Sequence, residues 1–67
     1  MAKVTLAGAR VSAGFTQKEL AEKMGVSRDS VVKWESGKTE IRTPYLILFC
    51  QMTGFEKDDI LLPTKST

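Results

Sequence analysis

The chain has 67 residues and a formal net charge of +2, with 42% hydrophobic and 27% charged residues. A chain of this length makes one domain that buries only about 60% of the surface its unfolded form exposes, so it folds with a thin margin and dimerisation is a common remedy. The composition excludes a disordered chain, and the lack of histidine with a single cysteine, Cys50, excludes an internal disulfide, a zinc centre and a Cys/His nucleophile.

The one long apolar run, "PYLILFCQM", falls far short of the ~20 residues that span a bilayer. The opening "MAKVTLAGARVSAG" has no apolar segment followed by a cleavage site, so it does not read as a signal peptide. A cytoplasmic location is the expectation. Residues 1–42 carry eight Lys/Arg against five Asp/Glu, and residues 43–67 carry two against three. The basic surplus therefore lies in the first two thirds.

Strand signals are poor, because no run of four residues alternates apolar and polar between turn residues. The pattern predicts five helices, over residues 4–13, 17–24, 28–36, 44–53 and 57–62. Glycines 14, 25, 37 and 54 follow the first four. Thr16 and Glu19 form a capping box at the second start, with Phe15 and Leu20 as its hydrophobic staple. Ser27 is the next N-cap, stapled by Val26 and Val31. Thr43 followed by Pro44 opens the fourth helix, since proline suits the first helical position. Glu56, with Phe55 and Ile60, gives a weaker fifth start. The ending "LLPTKST" reads either as the end of the domain or as the start of a linker.

Only Gly25-Val26-Ser27 separates the second helix from the third, a joint suited to helices crossing at roughly 90–120°. Leu20, Ala21 and Met24 share one face of the second helix. Val31 and Trp34 share one face of the third, and Val26 points back from the turn. This mini-core leaves Arg28, Asp29, Val32 and Lys33 on the opposite side of the third helix.

The stretch "FTQKELAEKMGVSRDSVVKWESGKT" resembles the helix-turn-helix of the phage repressor and Cro family, the XRE family. The matching elements are Thr16-Gln17, Leu20-Ala21, Gly25-Val26-Ser27, Val31, Trp34-Glu35 and Ser36-Gly37-Lys38. The resemblance implies an all-α, compact five-helix, lambda-repressor-like domain over 1–67, with its motif at 17–36. It also implies that the third helix enters the major groove while the second crosses the DNA backbone.

On that geometry Arg28 is the first choice for reading a base, by two hydrogen bonds to guanine. Lys33 reaches a base or a phosphate. Asp29 accepts from cytosine N4, stabilises the helix N-terminus or orients Arg28. Ser27 touches DNA besides capping, and Val32 meets a thymine methyl or closes the core edge. The phosphate candidates are Gln17, whose family equivalent clamps the backbone, and Ser36, Lys38 and Arg42. The resemblance further implies an ion pair between Arg10 and Glu35.

The fourth helix is apolar almost all round, which requires burial on more than one side. A two-fold dimer through Leu48, Met52, Leu61 and Leu62 is one expectation; a central helix in a monomer is the other. Cys50 reads as a small core residue. The leading function is a DNA-binding transcription regulator, a repressor of Cro type on a palindromic operator, from a phage, prophage or bacterial genome. The competing readings are an antitoxin whose apolar C-terminal surface binds a toxin, and a DNA-binding domain cut from a larger repressor. No catalytic residues, cofactor, metal or small-molecule ligand are expected.

Overall fold

The computed structural model describes residues 3–63. In chain order it contains β1 (Val4–Thr5), α1 (Leu6–Ser12), α2 (Gln17–Met24), α3 (Arg28–Ser36), α4 (Thr43–Thr53), a 3-10 turn (Lys57–Asp59) and β2 (Ile60–Leu61). The expectation of an all-α, five-helix domain holds only in part: the domain is mostly helical, with four α-helices, a 3-10 turn and a short strand pair among the described residues.

Two corrections have one cause. The first helix begins two residues later than the pattern suggests, and the fifth is a single 3-10 turn. Residues released at both places pair as parallel strands, Val4 with Ile60 and Thr5 with Leu61. Val4, Thr5 and Ile60 are β-branched and suit extended backbone. Thr5 also caps α1, its hydroxyl oxygen accepting from the Gly8 amide at 2.9 Å. At the far end, Ile60 turns extended (φ −95°, ψ 125°), which buries its side chain in the core. Pro63 follows, and proline disfavours helical backbone in the residue before it.

The helix-turn-helix follows its local signals. Thr16 and Glu19 complete the capping box with bonds of 2.9 and 3.0 Å. Gly25 ends α2 in the left-handed region (φ 74°), and the Val26 amide bonds back to the Ala21 carbonyl at 3.0 Å. Two residues later Ser27 caps α3 by accepting from the Ser30 amide at 3.2 Å. The α4 start differs by one residue: Arg42 takes the cap position without a side-chain bond, and Thr43 and Pro44 lie in the first turn.

One cluster forms the core: Leu6 and Ala9 of α1, Leu20, Ala21 and Met24 of α2, Val31 and Trp34 of α3, Leu46 and Phe49 of α4, and Ile60 of β2. Ala21 is almost fully buried in it, with Leu20, Met24, Val31 and Trp34, whereas Val26 is half-buried against the cluster. Trp34 also meets Tyr45 across α3 and α4, with ring centroids 5.5 Å apart. Cys50 is half-buried beside this cluster. Burial pushes its thiol above the ordinary value and the Asp59 carboxylate adds to that, against a weaker pull from Lys57. A protonated thiol is a poor nucleophile. No helix among the described residues is long and apolar enough to cross a membrane.

The tail closes over the recognition motif. Gly37 ends α3 with φ 82°, and a Cβ built there would lie 3.0 Å from the Pro63 Cβ. Gly25 has a similar φ, but its Cβ would meet nothing within 4 Å. Gly25→Ala should therefore lose about 1–2 kcal/mol from left-handed strain alone. Gly37→Ala should lose that and more, because Pro63 must shift. Urea melts of the two variants measure the difference, and equal losses would show that Pro63 does not pack on the end of α3.

Candidate nucleic-acid interface

The face of α3 turned away from Val31 and Trp34 carries Arg28, Asp29, Val32, Lys33 and Ser36. All are exposed except Val32, which is half-buried at the edge. Arg28 occupies the first helical position. A cation there opposes the helix dipole, so helix stability does not account for it.

A chain of polar contacts holds this arginine. Arg10 of α1 and Glu35 of α3 are bonded Nε to Oε2 at 2.6 Å, with side chains only 13% and 10% exposed. Arg10 Nη1 also donates to the Phe15 carbonyl at 2.8 Å, which anchors the entry to α2. Glu35 Oε1 accepts from Gln17 Nε2 at 3.0 Å. The Gln17 Oε1 then accepts from Arg28 Nη2 at 3.4 Å. Four side chains on three helices thus run from the interior to the tip of α3. An amide nitrogen carries two N–H groups, and Gln17 uses one of them in this chain.

The rest of the face is also organised. Lys33 Nζ lies 3.1 Å from Asp29 Oδ2, one turn apart on α3. Ser27 Oγ lies 3.0 Å from Ser30 Oγ, and Ser36 Oγ donates to the Lys33 carbonyl at 3.2 Å. Lys38 and Arg42 are exposed in the segment that leads to α4. The four dimer candidates divide. Leu48 and Met52 are half-buried and pack against the core, whereas Leu61 and Leu62 are 54% and 41% exposed. Ile47 and Tyr45, 50% and 40% exposed, were not singled out from the sequence. In a helix apolar all round, composition carries no signal for which side faces out.

The family model described as "Helix-turn-helix" matches residues 6–60. The chain belongs to the XRE-type helix-turn-helix family. No curated protein matches it. As a member of that family it is a DNA-binding regulator of transcription in general terms. In this helix-turn-helix the Gln17 link joins residues distant in sequence, whereas the Phe15 carbonyl contact spans five residues across the α1–α2 joint, and neither has a local sequence signal.

The Arg10–Glu35 pair lends itself to a double-mutant cycle with Arg10→Met and Glu35→Met. Each single change strands a largely buried charge and should lose about 3 kcal/mol or more in chemical denaturation. The double variant should lose much less than the sum, because an apolar pair replaces an ion pair. Additive losses would mean that the two charges do not interact.

Proposed function

We propose that the protein represses transcription by binding a palindromic operator as a two-fold dimer, in the cytoplasm, with α3 of each copy in the major groove. The observation that carries this reading is Arg28: an exposed guanidinium at the tip of α3, tethered through Gln17 to a partly buried ion pair. A side chain held in place loses little freedom on binding, and an arginine so placed can donate to guanine O6 and N7 together.

Ser27, Asp29, Val32 and Lys33 complete the groove-facing set. Gln17, Ser36, Lys38 and Arg42 flank it as phosphate contacts, Gln17 through its second N–H and the amides at the start of α2. Such contacts set register and bring the salt-dependent share of affinity. Half-sites would lie about 34 Å apart, one turn of DNA.

The apolar side chains left exposed support the dimer. Leu61 and Leu62 leave exposed apolar surface at the C-terminal end that a second copy can cover, and Leu48 and Met52 are half-buried apolar residues of α4. The same patch would suit a toxin in an antitoxin, and a protein that co-purifies at a fixed ratio would favour that reading.

Selection from a random duplex pool at a stated salt concentration tests the DNA reading. Wild type should enrich a palindrome, and Arg28→Ala should relax one base in each half-site, a loss of about 1–3 kcal/mol in discrimination. Weak binding that falls steeply with salt and enriches nothing would overturn it. For the dimer, Leu61→Lys should leave each copy folded by circular dichroism, because the side chain is more than half exposed. Sedimentation equilibrium should then show the dimer lost; an unchanged molecular mass would place the interface elsewhere.

A further inference from the structure

The Asp29–Lys33 contact sits where it contributes least to folding. Both side chains are well exposed, at 70% and 47%, and exposed pairs contribute little stability. The helix that carries them is already capped by Ser27 and terminated at Gly37. Yet the pair lies on the face that also presents Arg28, so a carboxylate stands in the middle of a surface that must approach phosphates.

Consider the cations on this face. Arg28 is tethered to Gln17 and Lys33 is held by Asp29, so each has an acceptor within the protein. The acid stands four residues N-terminal to the base, the favourable order on a helix. A lysine ammonium on a flexible stem is otherwise free to swing to any nearby phosphate. Phosphates are the same on every sequence, so that contact strengthens binding without selecting a site.

We propose that Asp29 is a specificity-determining residue that holds Lys33 off the phosphate backbone, releasing it only on duplex DNA that presents an amino donor to the carboxylate. The inference rests on the DNA-binding reading above. On arbitrary DNA the carboxylate stays on Lys33, and its repulsion from phosphates opposes close docking. Where a cytosine N4 amino group faces Asp29, the carboxylate gains a new donor. Lys33 is then free to donate to a neighbouring guanine O6 or N7. The pair thus couples two base contacts and weakens binding where the first is missing.

Asp29→Asn tests this, because it keeps the size of the side chain and removes the charge. Affinity is measured against salt concentration on the selected operator and on a random duplex, with melting curves to confirm that the variant is folded. The expected result is tighter binding to random duplex, with a salt slope steeper by about 0.9, the value for one added phosphate contact. The operator-to-random affinity ratio should fall about tenfold, within the range of one lost base discrimination. In a Lys33→Met background the same change should leave the slope where it was. An unchanged random-duplex slope overturns the proposal. If that comes with a new preferred base in each half-site, Asp29 reads a base without restraining Lys33. A wild type that prefers no sequence would also overturn it, and that result is visible before any variant is made, so it identifies the DNA reading as the point of failure.

Discussion

The ion pair between Arg10 and Glu35 fixes the relation between the first helix and the recognition helix. It lies mostly out of solvent, and Arg10 also donates to the Phe15 carbonyl, where the chain enters α2. Three helices are therefore indexed to one guanidinium. Removing water from two charges is costly, and an apolar pair of similar volume can be as stable. What an apolar pair cannot do is continue as hydrogen bonds. Glu35 has a second oxygen for Gln17, and Gln17 has a carbonyl for Arg28. The partly buried charge pair is the start of the chain that reaches the exposed face of α3.

The second constraint is the short joint between α2 and α3. With only Val26 between the left-handed Gly25 and the cap at Ser27, the helices cannot lie antiparallel over a broad surface. They meet instead at Ala21, where a small side chain permits close approach, and the gap is filled by Leu20, Met24, Val31 and Trp34. Packing of this kind tolerates little change in volume, so the angle of α3 is held by the core rather than by the loop. The strand pair adds a further clamp. By joining β1 to β2 it brings the tail back across α1, and Pro63 then rests against Gly37 at the end of α3.

The surface divides along the same lines. Polar side chains on α3 bond to one another and to Gln17, which leaves an ordered face on which Arg28 and Lys33 outnumber the single carboxylate of Asp29. Apolar side chains remain exposed at Val11 of α1, Tyr45 and Ile47 of α4, and Leu61 and Leu62 at the C-terminal end. A small domain has little core to spare, so apolar surface left in water is costly to it.

The sequence by itself determined the elements whose causes are local. Caps at Thr16 and Ser27, the glycine ends of α2 and α3, and the inward faces of both helices all act within four residues, so spacing alone reveals them. Motif recognition also reached Arg10 with Glu35. Tertiary structure decided what depends on residues distant in the chain. Val4 and Ile60 form strands because each finds the other across most of the sequence, and neither two-residue stretch has a periodicity to read. The Gln17 side chain joins a network because Glu35 and Arg28 arrive beside it from the next helix. On α4, Ile47 faces out and Leu46 and Phe49 face in because α1 and α2 lie on one side only. A helix apolar all round cannot announce that choice, since its own pattern favours no side.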